Sequence, residues 1–192
     1  MRHARPLAVS CALITAALAS SCSSQTEPVT GTQPAAPSYS APTTRTPRIT
    51  DDSGRPQVAF DPCIDLSDAQ ITQLGYEPAS RRKTDFPAGT YTFLSCSFES
   101  ADYVIGIASG NITYAEEQKK EAGSAATPTT VDGRQAMTIP ADEQCTLAMK
   151  AGYGIVILTR SARARGTKTS APPCEGIKDT AAMISRFMPS GT

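Results

Sequence analysis

This 192-residue chain has one histidine, no tryptophan and few long apolar runs. The scarcity of histidine and of long apolar runs each excludes a class of function. The one histidine is His3, so the rest of the chain has no Ser-His-Asp or Cys-His catalytic system and no imidazole-ligated zinc site. Outside the N-terminus, no apolar run approaches the roughly 18 residues of a spanning helix. Lys and Arg number 18, as do Asp and Glu, so no net positive charge favours nucleic acid.

The N-terminus has the plan of an export signal. Arg2, His3 and Arg5 form a charged start, and Leu7–Ala19 is apolar apart from Ser10 and Thr15. This order of a charged and an apolar region is typical of a secretory signal peptide, and the apolar part is too short to span a membrane comfortably. We therefore predict that residues 1–21 are removed on export, and the only histidine with them.

A short motif ends this segment. Ala19-Ser20-Ser21-Cys22 resembles the lipobox of bacterial lipoproteins, although that family more often has leucine where this chain has Ala19. The resemblance implies that Cys22 receives a diacylglycerol group, becomes the first mature residue and carries fatty acids such as palmitate. Two or more acyl chains anchor a protein stably, at about 0.8 kcal/mol per buried methylene. We expect a protein held by lipid on the extracytoplasmic face of the cell membrane.

Cleavage after Ala17-Leu18-Ala19, which would release a soluble protein, is the alternative. The cysteine count argues against it, because removal of Cys11 leaves an odd number of exported thiols, and such thiols are normally oxidised in pairs. The remaining cysteines are Cys22, Cys63, Cys96, Cys145 and Cys174. If Cys22 carries lipid, the other four form an even set.

Residues 22–57 are predicted to be the lipidated cysteine followed by a disordered tether. This stretch is rich in Ser, Thr and Pro and lacks periodic apolar positions. Its root-mean-square span as a flexible chain is roughly 35 Å. Residues 58–192 are predicted to form one domain.

Local patterns in that domain predict an α+β fold. Ser67 and Thr113 each begin a capping box, Tyr91–Glu99 alternates like a half-buried strand, and Asp132-Gly133 is typical of a tight hairpin turn. A final helix is predicted from about Cys174 to Met188. We expect an antiparallel sheet of about five strands covered by two or three helices.

The four cysteines of the domain allow three pairings. We favour Cys63–Cys96 and Cys145–Cys174, because each bond would pin the start of a helix to the sheet. Closing loops of about thirty residues corresponds to roughly 3–4 kcal/mol each in the chain-entropy model. A metal or redox site is the alternative, and the absence of a C-x-x-C motif argues against it.

With oxidised thiols and no imidazole, carboxylate-only catalysis is the chemistry that remains, as in glycoside hydrolases. No pair of acidic residues is marked by its spacing, and no glycine-rich phosphate loop precedes a helix. We therefore predict a protein that is not an enzyme and needs no cofactor or metal.

Two basic clusters are candidate anion sites. Arg81-Arg82-Lys83 follows the first helix, and a later loop holds Arg160, Arg163, Arg165 and Lys168. Contact with anionic envelope polymers or lipid headgroups would contribute about 1 kcal/mol per well-placed charge. We favour the alternative of a solvated loop.

Six segments taken together identify a family resemblance that covers roughly residues 58–189. The chain resembles the DUF3558-type lipoproteins of actinobacteria, although the family often has tryptophan where this chain has Phe98. The segments are Asp61-Pro62-Cys63-Ile64-Asp65-Leu66, Leu74-Gly75, Ser95-Cys96-Ser97-Phe98, Cys145, Pro173-Cys174-Glu175 and Ala181-Ala182. The resemblance implies a cell-surface lipoprotein of mycobacteria, nocardiae or their relatives, and it carries over no catalytic residue.

These patterns lead to two functional hypotheses. The first is a lipid-anchored envelope protein that binds or scaffolds an envelope protein or glycolipid partner. The second is a carrier or sensor of an apolar or glycolipid ligand, held in a cleft between the sheet and its helices.

Overall fold

A computed structural model of the chain describes residues 54–163 and 172–188. The predicted signal peptide, Cys22 and residues 23–53 of the predicted tether lie outside the described residues, as do Arg165 and Lys168.

Four short helices and eight strands make up the described part of the chain. The helices are α1 (Pro62–Asp65), α2 (Asp68–Gln73), α3 (Tyr114–Lys120) and α4 (Ile177–Phe187). The strands are β1 (Glu77–Lys83), β2 (Phe86–Ala88), β3 (Tyr91–Glu99), β4 (Tyr103–Gly110), β5 (Thr127–Val131), β6 (Arg134–Pro140), β7 (Gln144–Ala151) and β8 (Gly154–Ala162). None of these helices is long and apolar enough to cross a membrane.

All eight strands belong to one antiparallel sheet in the order β1-β3-β4-β8-β7-β6-β5, with β2 also paired to β3. Strands β1 and β2 lie along different parts of β3 and together form one edge, and β5 forms the other. The central pair is β4 with β8, in register from Tyr103 opposite Ala162 to Gly110 opposite Ile155.

The predicted antiparallel sheet with helices packed on it is confirmed, but the expected proportions are wrong. The domain is mostly β, with more strands than the five expected and with short helices. Two strands that the sequence did not indicate are β1 and β2. Strand β1 combines Pro78 with three basic residues, and most of its side chains are exposed. An edge strand bonded on one side carries charge rather than alternating apolar residues, so it lacks the usual signal.

The local signals that were predicted are present. The Ser67 hydroxyl accepts from the backbone N–H of Gln70 at 3.3 Å, and Gln70 Oε1 accepts from the Ser67 N–H at 2.8 Å. Thr113 and Glu116 form the second capping box. Asp132-Gly133 turns β5 into β6 with positive φ at both residues, as the tightest hairpins require.

The last helix starts later than predicted. Cys174 lies in a turn, and α4 begins at Ile177 after Gly176, whose φ is +70°. The left-handed backbone of Gly176 ends the preceding turn and separates the cysteine from the helix.

The main core lies between one face of the sheet and helices α1, α2 and α4. Alternate residues of the inner strands point into it and are fully buried, because successive strand side chains face opposite sides. They include Phe98, Ile105, Ile107, Leu147, Met149 and Leu158. The covering layer contributes Phe60, Leu66, Ile71, Ile177, Ala181 and Ile184 to the same contiguous cluster. Burial of this apolar surface, at about 25 cal/mol per Å², holds the helices on the sheet.

The opposite face of the sheet is covered only in part. Helix α3 packs there over a smaller apolar cluster that comprises Phe93, Ile112, Tyr114, Met137, Ala148 and Ile155. Beyond that cluster, half-buried small residues lie directly opposite one another across four strands, namely Ser97, Gly106, Thr159 and Thr146.

A glycine, Gly154, allows close backbone contact at one end of the β4–β8 pair. A Cβ on Gly154 would lie 2.2 Å from the carbonyl oxygen of Gly110 and 2.7 Å from that of Ile112. These atoms are backbone and cannot rotate away, so a side chain at position 154 would force the strands apart. By contrast, a Cβ on Gly106, in the same strand pair, would meet only the carbonyl oxygen of Thr159, at 3.9 Å.

We predict that Gly154→Ala lowers the free energy of unfolding by about 3 kcal/mol, because the new methyl group overlaps fixed backbone atoms. Gly106→Ala is the matched control. It should leave stability unchanged or raise it by up to about 1 kcal/mol, since glycine weakens a strand interior. Urea unfolding of both variants measures the difference, and equal losses would contradict the steric argument.

Candidate functional site

Two disulfide bonds fasten the covering layer to the sheet. Cys63 of α1 is bonded to Cys96 of β3, and Cys145 of β7 is bonded to Cys174 before α4, with Cα–Cα distances of 5.0 Å in both. The predicted pairing is therefore confirmed. Every cysteine in residues 54–163 and 172–188 is bonded, so this part of the chain offers no thiol for catalysis or metal binding.

Arg160 of β8 is a buried cation beside the second disulfide. It lies opposite Cys145 in the sheet and is 8% exposed. Its Nε donates to the carbonyl oxygen of Pro173 at 2.6 Å, and Nη2 donates to that of Glu175. The guanidinium carbon lies 4.9 Å from the centroid of the Tyr103 ring. A buried charge needs such partners, and these fix both sides of Cys174 against the sheet.

Arg160 also acts on a neighbouring phenol. Burial raises the pKa of Tyr76, and the Arg160 guanidinium beside its hydroxyl opposes part of that rise. Tyr76 therefore stays protonated at neutral pH and serves as a hydrogen-bonding group of the core.

Arg163, directly after β8, also binds groups within the domain. Its Nη1 donates to the carbonyl oxygen of Ser100 at 2.7 Å, and Nη2 pairs with Glu99 at 3.1 Å. The two described members of the candidate anion site thus bind groups within the domain, which favours a structural role for both. Arg165 and Lys168 lie outside the described residues, so anion binding stays a prediction.

Arg81 and Arg82, in the other basic cluster, also bind groups within the domain. Arg81 donates to the carbonyl oxygens of Cys63 and Leu66, at 2.9 and 2.8 Å, and pairs with Asp68 at 2.5 Å. These carbonyls end α1 and would otherwise lack helical partners. Arg82 pairs with Glu99 at 2.7 Å. The cluster therefore joins the edge strand to α1 and β3.

A second set of contacts fixes the start of the described chain. Arg55 binds Glu116 through both nitrogens, with Nη2–Oε1 at 2.8 Å and Nη1–Oε2 at 3.1 Å. Its guanidinium carbon lies 4.3 Å from the Tyr91 ring centroid, and the Tyr91 hydroxyl donates to Glu116 Oε1 at 3.3 Å. We call Arg55, Tyr91 and Glu116 the Arg55 clamp. The sequence had placed Arg55 in the tether and marked Glu116 only as a capping residue, so this interaction was missed.

The Arg55 clamp lowers the pKa of the Glu116 carboxyl to about 2, chiefly through the hydrogen bond from Arg55 and also through those from Thr113. A carboxyl whose folded pKa is depressed stabilises the fold above its unfolded pKa, and that stabilisation is lost as the pH falls towards the folded value.

Buried carboxylates have structural partners on both faces of the sheet. Asp61 is fully buried, and its Oδ1 accepts from the Cys63 N–H at 3.0 Å at the start of α1. Glu117 of α3, on the opposite face, pairs with Lys120 at 3.1 Å. The two carboxylates are separated by the sheet and do not form a catalytic pair. Within residues 54–163 and 172–188, no three His, Cys, Asp or Glu side chains are grouped to hold a metal ion.

An exposed aromatic surface lies near the Arg55 clamp. Phe86 of β2 stacks on Phe93 of β3 with ring centroids 4.9 Å apart, and Ala88 lies opposite Tyr91. We call these four residues the aromatic corner. No pattern in the sequence indicates it, because β2 is three residues long and contains a proline.

We predict that Arg160→Met lowers the free energy of unfolding by about 2–3 kcal/mol, because it removes the charged donor that two part-buried backbone carbonyl groups share. Arg163→Met is the matched control on the same strand end. Its ion pair is more exposed, so its loss should be under about 1 kcal/mol. Urea denaturation measures both, and a larger loss for Arg163→Met would contradict the assigned roles.

The Arg55 clamp predicts a specific pH dependence. The ordinary pKa of Glu116 is 4.5 and its folded value is about 2, so its stabilising effect is complete above pH 4.5 and declines below it. Glu116→Gln should therefore lose less stability than the wild type as the pH is lowered from 5 to about 2. Glu121→Gln, at the C-cap of the same helix and outside the clamp, should retain the wild-type slope. The measurement is the urea midpoint at several pH values, and parallel slopes for all three chains would refute the assignment.

One family matches the chain. The family is described as a protein of unknown function (DUF3558), and the match covers residues 17–185, a span that includes all four disulfide-bonded cysteines. No curated protein and no solved structure matches the chain. Since the match extends over most of the sequence, this chain belongs to the DUF3558 family of proteins of unknown function.

Proposed function

We propose that this chain is a lipoprotein of the actinobacterial cell envelope, held on the extracytoplasmic face of the membrane by acyl chains on Cys22. In this proposal the folded domain binds or scaffolds a partner and catalyses no reaction.

The pairing of the cysteines carries the proposal. The four cysteines of the domain are used in two disulfides, which is the state expected of an exported protein. Once the signal segment with Cys11 is removed, Cys22 is the one cysteine left over, and it stands directly behind the lipobox-like Ala19-Ser20-Ser21. Modification by lipid accounts for this odd thiol without a second protein chain.

The chemistry of the described residues supports binding over catalysis. The buried Arg160 holds a turn, and the buried carboxylates of Asp61 and Glu117 lie on opposite sides of the sheet with structural partners. The buried Tyr153 hydroxyl lies 2.6 Å from that of Ser109, and burial raises the pKa of Tyr153, so its phenol stays protonated. These buried polar groups stabilise the fold. We therefore expect a partner to bind at the outer surface of the domain.

The carrier or sensor hypothesis places an apolar ligand between the sheet and its helices. In the described residues that space holds one contiguous cluster of buried side chains, including Phe60, Ile107 and Leu158. Close-packed interiors of this kind stabilise the fold but leave little room for a ligand. We therefore favour a partner that binds outside the core.

Mass spectrometry of the mature chain from its own host tests the anchor. The expected result is an N-terminal Cys22 that carries diacylglycerol, with the protein in the membrane fraction. Cys22→Ser should release a folded domain with both disulfides into the soluble fraction. An unmodified N-terminus at Ser20 would overturn the proposal.

The paired variant Cys63→Ser with Cys96→Ser is the control for that experiment. It should retain the lipid but lose about 2–5 kcal/mol of stability, because a structural cross-link is removed. The two variants together separate the anchoring cysteine from the structural ones.

A further inference from the structure

Two large apolar side chains are exposed in the described part of the chain, and one belongs to the aromatic corner. Phe86 is 46% exposed and Ile64, on α1, is 51% exposed. Phe86 is held in place, because its ring stacks on Phe93 with an angle of 17° between the planes. Phe93 in turn lies against β4, where a Cβ on Gly110 would be only 2.3 Å from the ring. Phe86 is therefore a rigid, outward-facing aromatic group.

The chain reaches the domain at this same corner. Arg55 lies over the ring of Tyr91, and Tyr91 is two residues from Phe93 on the same face of β3. Alternate residues of a strand are about 7 Å apart, so Phe86, opposite Phe93, is a near neighbour of the Arg55 clamp. Ile64 lies on α1, which covers the other face of the sheet.

The chain between Cys22 and the Arg55 clamp has a predicted span similar to the width of the domain. Cys22 and Arg55 are separated by about thirty residues, whose predicted root-mean-square span is roughly 30–35 Å. A domain of about 130 residues has a radius of gyration of roughly 14 Å, and its diameter is therefore similar to the span of that chain. On average, a lipid on Cys22 therefore holds the side with the Arg55 clamp nearer to the membrane than the face that carries Ile64.

The surroundings of Phe86 suit a lipid surface. The carboxylate of the neighbouring Asp85 turns inward and accepts from the Ser95 N–H at 2.8 Å, whereas Lys83 at the end of β1 is exposed. Aromatic side chains favour the boundary between headgroups and acyl chains, and lysine favours phosphate groups.

We infer that the aromatic corner is a membrane-docking surface, at which Phe86 enters the headgroup region of the bilayer that holds the Cys22 lipid. The inference rests on the proposed anchor and specifies which side of the domain faces the membrane. Because the anchor makes docking an intramolecular event with a high effective concentration, a small contact area is enough. The opposite side, with Ile64, then faces away from the membrane and is open to a partner.

The chain contains no tryptophan, so a single introduced indole reports on its own position. We would compare Phe86→Trp with the matched control Ile64→Trp, each as the lipidated full chain in phosphatidylcholine vesicles with brominated acyl chains. Bromine quenches only an indole that reaches the bilayer. We expect quenching of Phe86→Trp to exceed that of Ile64→Trp at least threefold, and acrylamide in the water to quench in the reverse order.

Equal quenching of the two variants by bromine, or stronger quenching of Ile64→Trp, would overturn the inference. The inference would also be overturned if, without vesicles, protection of the Phe86→Trp indole from acrylamide rose with protein concentration. Such a rise would show that this surface contacts another copy of the chain. Mass spectrometry of Cys22 on the same samples keeps the two proposals apart. A missing lipid refutes the anchor, whereas a lipidated, vesicle-bound chain without selective quenching refutes the docking surface alone.

Hydrogen exchange on the wild-type sequence provides a measurement that needs no aromatic substitution. Attachment of the lipidated chain to the same vesicles should slow exchange of the Phe86–Tyr91 amides at least threefold relative to the Cys22→Ser chain in solution. The amides of α1 should be unchanged. Slowing in α1 but not in β2 would contradict the proposed orientation.

Discussion

The antiparallel pairing of β4 with β8 is the interaction on which the rest of the domain depends. Strands β1 to β4 form one half of the sheet and β5 to β8 the other, and this pair joins them. Gly154 allows the close approach at one end, while Arg160, opposite Ile105, connects the other end to the turn before α4. Each disulfide lies within one half, so neither of them crosses the junction between the halves. Both apolar clusters cross it.

Features that depend on neighbouring residues could be predicted from the sequence. The capping boxes at Ser67 and Thr113 and the Asp132-Gly133 turn are local, because their hydrogen bonds join residues two or three positions apart. The disulfide pairing was predictable because four cysteines allow only three pairings, and one of them joins the start of each helix to the sheet. Strand β1 was not, because its stability comes from β3, and the β4–β8 register is likewise set by burial across half of the chain.

The candidate surfaces, too, could be predicted from the sequence only in part. Charge is visible in a sequence, so Arg160 and Arg163 were identified, but the carbonyl oxygens that they meet come from distant turns. The role of Arg55 depends on Tyr91 and Glu116, which are brought together only by the folded sheet and α3. Phe86 is exposed because β2 is short and lies at an edge, which no hydrophobic pattern indicates. Among the residues that the structure describes, the two exposed large apolar side chains thus lie on opposite sides, Phe86 near the Arg55 clamp and Ile64 above the main core.

The order of the cysteines has a consequence for biogenesis. Cys63 bonds Cys96, and Cys145 bonds Cys174, so each thiol pairs with the next one along the domain. In a chain that crosses a membrane N-terminus first, the first two thiols meet the oxidant before the last two have emerged. Early oxidation then yields the native bond, and random pairing has little chance to occur. Under the proposed export, translocation would therefore favour correct oxidation and reduce the need for a disulfide isomerase outside the cell.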